Sequence, residues 1–245
     1  MRINAVVFDV GETLVDESRE YGTWADWLGV PRHTFSAVFG MVLAQGLDYR
    51  ETFQRFRPGF DLESARAARA DAGRPEWFSE DDLYQDTRPC LKALQGMGLW
   101  LGVAGNQTVN AGSILRGLEL GVDLIATSDD WGVVKPEAGF FARLVEECPY
   151  PADEILYVGD RLDNDVRPAH RAGLRTAHIK RGPWGMLVAA DPELREVADV
   201  LLTSLDELPG EVSRLNGNGN GTGAKAANGG KGVNGSKDMS AAVRK

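Results

Sequence analysis

The chain has 245 residues, of which 43% are hydrophobic and 26% are charged, and its formal net charge is −9. This composition is typical of a soluble globular protein, and the negative charge disfavours nucleic acid as a partner. Cys90 and Cys148 are the only cysteines, so we expect no disulfide framework. Because there is neither a signal-peptide pattern nor an uncharged apolar run of about eighteen residues, we expect a cytoplasmic protein with no membrane partner. The sequence leaves the oligomeric state open.

The first predicted element is a buried strand over residues 3–8, a short apolar run with two adjacent valines. Asp9 follows directly, at the carboxyl end of the strand, where open α/β sheets bind their ligands. In an extended chain, the side chain of residue 11 would lie on the same side as that of Asp9. Residue 11 is a glycine, so no side chain is available there.

Residues 16–88 have the pattern of a helical subdomain. Apolar residues recur at spacings of three and four, as Trp24, Trp27 and Leu28 do. The segment contains nine arginines and no lysine. The predicted helices cover residues 17–28, 32–44, 49–56 and 62–72.

Residues 89–208 alternate between helices and short apolar strands, which is typical of a doubly wound parallel α/β sheet. Together with residues 1–15 they are predicted to form a Rossmann-like core into which residues 16–88 are inserted as a cap. Residues 209–245 are predicted to form a disordered tail, since Gly, Asn and Lys dominate from about residue 216. The predicted helices cover residues 89–97, 108–120, 136–148 and 164–172, and the strands cover residues 99–104, 122–128, 155–158, 174–179 and 198–202.

Polar residues follow four of the predicted strands. A single residue of this kind is most often a helix or turn cap. Because the carboxyl ends of parallel strands meet at one edge of a sheet, we expect these residues to share one crevice. Several carboxylates held together stay ionised only beside a cation, and a hard divalent ion such as Mg²⁺ suits oxygen ligands. The residues are Asp9, Gly105 with Asn106, Lys135, and Asp160 with Asp163 and Asp165.

These segments resemble, in order and spacing, the four motifs of the haloacid dehalogenase (HAD) superfamily of hydrolases. The resemblance extends from residue 1 to about residue 205, and the helical insert resembles the cap of subfamily I. The segments are Asp9-Val10-Gly11-Glu12-Thr13-Leu14, Gly105-Asn106, Lys135-Pro136 and Gly159-Asp160-Arg161-Leu162-Asp163-Asn164-Asp165.

The resemblance implies a hydrolase of small phosphorylated metabolites in which Asp9 is the nucleophile and forms an aspartyl-phosphate. It also implies that Mg²⁺ is held by Asp9, by the backbone carbonyl of Gly11, and by Asp160 with Asp165. Phosphoryl transfer needs in-line positioning and charge neutralisation, which these groups could supply.

For the phosphate group, the resemblance implies two further contacts. Lys135 would neutralise phosphate charge and hold Asp9 in place. The backbone N–H groups near Gly105 and Asn106 would bind the phosphate oxygens.

The sequence departs from the family pattern at two positions. Gly11 stands where phosphatases of the family carry a second Asp that acts as general acid and base, a loss on the order of 10²–10⁴ in rate. Gly105 stands where a Ser or Thr hydroxyl is usual, a loss of about 0.5–1.5 kcal/mol. Glu12 is a candidate substitute for the acid/base, although adjacent side chains of an extended chain point to opposite faces.

Three functions therefore remain open. The first is a Mg²⁺-dependent phosphatase with weakened acid/base catalysis. The second is a hydrolase of carbon–halogen bonds, although relatives of that kind tend to lose the metal carboxylates that Asp160 and Asp165 represent. The third is a non-catalytic phosphate-binding or regulatory protein. Phosphonate cleavage is set aside because it needs a cap lysine.

Overall fold

A six-stranded parallel sheet organises residues 2–218, the part of the chain that the structure, a computed structural model, describes. The strand order is β3-β2-β1-β4-β5-β6, and the sequence prediction of a doubly wound parallel sheet is confirmed. The first strand is central, with Phe8 opposite Val103 on one side and Val158 on the other. The strands are β1 (Ala5–Phe8), β2 (Trp100–Gly105), β3 (Leu124–Thr127), β4 (Ile155–Gly159), β5 (Arg175–Ile179) and β6 (Val200–Leu202).

Twelve α-helices accompany the sheet within the described residues. A π-helical turn, Leu162–Val166, leads into the ninth of them. The helices are α1 (Ser18–Leu28), α2 (Arg32–Ala44), α3 (Glu51–Phe56), α4 (Leu62–Asp71), α5 (Thr87–Gly96), α6 (Val109–Gly117), α7 (Ser128–Trp131), α8 (Ala138–Glu147), α9 (Arg167–Arg171), α10 (Gly182–Val188), α11 (Pro192–Val197) and α12 (Leu208–Asn218).

Alternating side chains of β1 pack into two different cores, one on each face of the sheet. Val6 and Phe8 belong to a cluster with α5 and α12, whereas Ala5 and Val7 belong to a cluster with α8. This is the period-two alternation of a strand that is buried on both faces. All four residues are inaccessible to solvent, so Asp9 follows a rigidly held strand.

The cap consists of α1–α4, and the four predicted helices are confirmed to within a few residues at each end. Its core is aromatic. Phe35 and Phe53 are buried with ring centroids 5.5 Å apart in an edge-to-face arrangement, which adds to the stabilisation from area burial. Trp184 of α10 packs edge-to-face on Phe39 of the cap at 5.2 Å and thereby joins the cap to the sheet domain.

The chain enters and leaves the cap through two segments that pair with each other. Val15 forms an antiparallel bridge with Leu83. The backbone N–H of Tyr84 donates to the carbonyl of Leu14, and the N–H of Asp16 donates to the carbonyl of Asp82. The cap therefore begins only a few residues after Asp9, at a point fixed by backbone hydrogen bonds.

The prediction of a disordered tail is wrong for residues 209–218, because they belong to α12. Leu208 and Val212 of this helix are buried in the core, and the side chain of Asn216 hydrogen-bonds the backbone of Ile3. The polar composition of this region obscured a short apolar stripe on α12, which packs against the sheet. The rest of the predicted tail, residues 219–245, lies outside the described residues, and the exact domain boundaries stay predictions.

Two helices in the stretch after β5, α10 and α11, were not predicted. Both begin with a proline in the first turn, Pro183 and Pro192, which is a favourable place for proline. None of the helices within residues 2–218 combines the length and the apolar character that crossing a membrane requires.

Candidate active site

The carboxyl ends of the strands open into a cavity of about 540 Å³ between the sheet domain and the cap. Both domains contribute charged side chains to its wall. The sheet domain contributes Asp9, Gly11, Lys135 and Asp160, and the cap contributes Glu17 and Arg66.

A buried ion triad lies at the floor of this cavity. The Nζ of Lys135 is 2.6 Å from Oδ1 of Asp9 and 2.5 Å from Oδ1 of Asp165. Burial works against the charged lysine, but Asp165 and Asp9 together hold the pKa of Lys135 well above its usual value. Burial raises the pKa of Asp165 to about 6, in spite of the nearby ammonium. The lysine is thus a fixed cation beside Asp9.

Asp160 adds a third buried carboxylate next to the triad. Oxygen atoms of Asp9, Asp160 and Asp165 lie within 4.8 Å of one another. Oδ2 of Asp160 is buried without a hydrogen-bond partner. Burial and the neighbouring carboxylates of Asp165 and Asp9 raise the pKa of Asp160 well above its usual value. This oxygen is therefore free to bind a ligand in the cavity.

The chemistry of this donor set fits Mg²⁺, because all the donors are hard oxygen atoms. Asp165 accepts from Lys135 through one oxygen and from the backbone N–H of Arg161, at 3.0 Å, through the other. Asp160 and Asp9 therefore hold the carboxylate oxygens that are free for a cation, and Gly11 lines the cavity beside them. Asp163 lies outside this set and pairs with Arg161 at 2.8 Å.

Two of the three residues predicted to bind phosphate, Gly105 and Asn106, lie at the carboxyl end of β2. A Cβ atom on Gly105 would lie 2.6 Å from Oδ1 of Asp9, so the carboxylate fills the space where a side chain would stand. The side chain of Asn106 exchanges two hydrogen bonds with the backbone of Lys135, at 2.9 and 2.7 Å. Asn106 therefore positions the lysine, and its backbone N–H is left for an anion.

The acid/base position shows an arrangement that the sequence reasoning missed. A Cβ atom on Gly11 would lie 2.5 Å from Oε1 and 2.7 Å from Cδ of Glu17. The carboxylate of Glu17 thus occupies the place of the missing side chain and faces the cavity. Burial and the charges of Glu12 and Asp9 raise its pKa well above the usual value.

Glu12, the candidate substitute from the sequence, does not line the cavity. Its backbone has φ +54°, in the left-handed region, and its Oε2 accepts a 2.5 Å hydrogen bond from the hydroxyl of Tyr84. The strand ends before this residue, so the extended geometry assumed from the sequence does not apply. Glu12 is directed to the segment that returns from the cap.

Among the nine cap arginines, Arg66 lines the cavity. Five others form ion pairs with acidic residues of their own segment, as Arg69 does with Glu20 at 3.0 Å. The other four are Arg19, Arg32, Arg50 and Arg88.

Comparisons with known proteins identify the family of the chain. A family model described as a haloacid dehalogenase-like hydrolase matches residues 3–173. A glyceraldehyde 3-phosphate phosphatase of Methanocaldococcus jannaschii is 34% identical over 137 residues, covering 54% of this chain and 57% of that protein. A glyceraldehyde 3-phosphate phosphatase of Pyrococcus furiosus is 27% identical over 242 residues, covering 88% of this chain and 95% of that protein.

Solved structures show the same fold. A HAD hydrolase from Bacillus subtilis bound to magnesium has a TM-score of 0.64 at 19% identity, covering 86% of this chain and 99% of that chain. For the first three curated relatives the matched part spans only 57%, 53% and 45% of their length, about half. The family match covers well over half of this chain and includes β1, β4 and every predicted site residue. The chain belongs to the haloacid dehalogenase-like hydrolase family.

Proposed function

We propose that this protein is a Mg²⁺-dependent phosphatase of small phosphorylated metabolites, with Asp9 as the nucleophile. The observation that carries the proposal is the buried lysine between Asp9 and Asp165 beside the unpartnered oxygen of Asp160. Asp9 thus lies between a fixed cation, Lys135, and a site for a second cation. This arrangement suits attack by a carboxylate on a negatively charged phosphoryl group.

The residues of the chain would divide the work as follows. Lys135 holds Asp9 in place and neutralises part of the phosphate charge. The start of α6 lies at the cavity wall, where Asn106, Gln107 and Thr108 line the site, and the N-terminal end of a helix favours anions. Mg²⁺ would be held by Asp9, Asp160 and the carbonyl of Gly11, with Asp165 behind them, and it would supply further charge neutralisation to the phosphoryl oxygens.

The cavity supports a small substrate. Its volume of about 540 Å³ is in the range of small-molecule sites. Trp24, Tyr49 and Trp184 provide apolar surface, and Arg66 provides one cap cation for the leaving group. The relatives named glyceraldehyde 3-phosphate phosphatases act, by their names, on a phosphate ester of this size class. The cytoplasmic location and the lack of a nucleic-acid partner stay predictions.

The test is a panel of phosphate esters and 2-haloacids, each measured in Mg²⁺ and in chelator. We expect phosphate release that depends on Mg²⁺ and disappears in Asp9→Asn. Asp163→Asn is the matched control, because it removes an aspartate of the same segment that pairs with Arg161 outside the cation site. Halide release without Mg²⁺ would replace the proposal by the carbon–halogen hydrolase. Heat protection by phosphate without any product would replace it by the binding protein.

A further inference from the structure

Gly11 lacks the carboxyl group that the family pattern has at this position, but another side chain fills the space beside its Cα. The three atoms nearest to a Cβ on this residue all belong to the carboxylate of Glu17, at 2.5, 2.7 and 3.1 Å. A residue two positions after the nucleophile is where the family places its acid/base carboxyl. In this chain a carboxyl group reaches the same place from the first residues of the cap.

The local structure explains how Glu17 arrives there. The chain turns tightly after β1, with the N–H groups of Leu14 and Val15 both donating to the carbonyl of Val10. Val15 then pairs with Leu83, and α1 begins at Ser18. This course brings Glu17 back over Gly11. Backbone hydrogen bonds of residues 14–16 hold the segment that leads to Glu17.

The carboxylate of Glu17 is also uncommitted. Within residues 2–218 it takes part in no hydrogen bond or ion pair. Two other cap carboxylates in the cavity wall are engaged. Glu20 pairs with Arg69 at 3.0 Å, and Glu76 accepts a 2.5 Å hydrogen bond from Thr108. Glu17 is thus a carboxyl group that lines the cavity beside Asp9 and Gly11 with its oxygens free.

We infer that Glu17 is the general acid and base of the reaction and takes the role that a side chain at residue 11 would have. This inference rests on the proposed phosphatase function. It changes the expected chemistry, because a phosphatase with a positioned acid can cleave alkyl phosphates, whose leaving groups need a proton.

In the first step, an oxygen of Asp9 attacks phosphorus, and the ester P–O bond breaks. The departing oxygen takes the electron pair of that bond and the proton of the Glu17 carboxyl, so the alcohol leaves neutral. In the second step, the Glu17 carboxylate takes a proton from water as the water oxygen attacks phosphorus. The bond between Asp9 and phosphorus breaks, inorganic phosphate leaves, and both carboxyl groups return to their initial states.

The glycine at position 11 leaves the space that the carboxylate of Glu17 fills. The Cβ of an Asp at position 11 would lie 2.5 Å from Oε1 of Glu17, so Gly11→Asp alone displaces the Glu17 carboxylate and adds a like charge. In a Glu17→Ala background, the same substitution has room. The acid/base group can then be moved from position 17 to position 11.

The experiment compares kcat/KM for an alkyl phosphate and for 4-nitrophenyl phosphate in Mg²⁺. Glu17→Gln should lower kcat/KM for the alkyl ester by about 10²-fold or more, since its leaving group needs the proton. For the aryl ester the loss should stay below about tenfold, because its leaving group departs as an anion. The aryl ester should also show a burst of 4-nitrophenol, because the second step lacks its base.

Asp163→Asn is the matched control, since it removes a carboxylate that pairs with Arg161 and does not line the cavity, and it should keep wild-type kinetics. Adding Gly11→Asp to Glu17→Ala should restore alkyl turnover at least tenfold. An equal loss of kcat/KM for both esters, or no loss with the alkyl ester, would overturn the inference. If Glu17→Gln does not fold, the double variant still tests the inference. A folded double variant that cleaves the alkyl ester no faster than Glu17→Ala would overturn it as well. A wild-type protein inactive on every ester would instead refute the proposed function itself.

Discussion

Asp160→Asn tests two properties of the proposed cation site: how much the buried carboxylate destabilises the fold, and whether it binds Mg²⁺. In the metal-free protein, Asp160 is buried with an oxygen that lacks a partner, close to two further carboxylates. An amide of the same shape removes the negative charge and keeps the packing. We therefore expect the variant to be more stable than the wild type in chelator and to lose its response to Mg²⁺.

The expected size follows from the burial of this group. Leaving a buried polar group without a partner costs about 1–3 kcal/mol, and more when it is charged. A gain of about 1–3 kcal/mol in the free energy of unfolding corresponds to about 2–12 °C in Tm for a chain of this size. For the wild type, Mg²⁺ at a hundred times its Kd should add about 2.7 kcal/mol.

The pH dependence has a definite sign. The pKa of Asp160 is raised in the folded protein, so the folded state binds more protons than the unfolded state. Stability from this group is present below the unfolded pKa and is lost as the pH rises through the folded pKa. The advantage of Asp160→Asn in chelator should therefore be small at pH 5 and larger at pH 8.

The assay is thermal unfolding of both proteins in chelator and in Mg²⁺, at pH 5 and pH 8. The expected result is that Asp160→Asn has the higher Tm in chelator and that Mg²⁺ raises only the wild-type Tm. An equal rise of Tm with Mg²⁺ in both proteins would refute the assignment of Asp160 as a metal ligand. A variant less stable than the wild type in chelator at pH 8 would refute the charge argument.

Two further substitutions test the surroundings of Asp9. Lys135→Met leaves the buried carboxylates of Asp9 and Asp165 without a cation, so we expect the free energy of unfolding in chemical denaturation to fall by about 3–5 kcal/mol. A fall below about 1 kcal/mol would show that these ion pairs do not form in solution. At position 12, both Glu12→Gly and Glu12→Ala lose the hydrogen bond from Tyr84, but only glycine relieves the φ of +54°. Glu12→Gly should thus be about 1 kcal/mol more stable than Glu12→Ala, and equal stabilities would contradict the left-handed backbone.

The sequence predicts much of the site because most site segments lie at the carboxyl end of a strand or directly after it. Asp9 and Asp160 come immediately after β1 and β4, which are neighbours in the sheet, so their proximity follows from the parallel topology. The contact of Lys135 with Asp9 requires only that the loop that carries Lys135 lies at the same carboxyl edge of the sheet. Order and spacing of the segments were sufficient for these residues.

The position of Glu17 could not be predicted in this way. It depends on the turn after β1 and on the pairing of Val15 with Leu83, two residues that are far apart in the chain. From the sequence, an acidic residue directly before a helix is expected simply to stabilise the helix N-terminus. The glycine at position 11 was the available signal, since a missing side chain in a buried site leaves space that another residue can fill.

Glu12 and α12 show two other limits of sequence reasoning. The orientation of Glu12 was inferred from extended geometry, whereas the backbone at that residue is left-handed. The polar composition of the C-terminal residues outweighed the spacing of Leu208, Val212 and Leu215, which places three apolar side chains on one helical face. In both cases a tertiary contact, with Tyr84 or with the sheet, decides the conformation.

In the proposed function, Asp9 itself receives the phosphoryl group. The most direct test is to stop the reaction with acid during turnover of a phosphate ester in Mg²⁺ and to measure the mass of the peptide that contains Asp9. We expect the added mass of one phosphoryl group on Asp9, with a larger phosphorylated fraction in Glu17→Gln and none in chelator. A phosphoryl group on another residue during steady release of phosphate, or turnover that persists in Asp9→Asn, would contradict it.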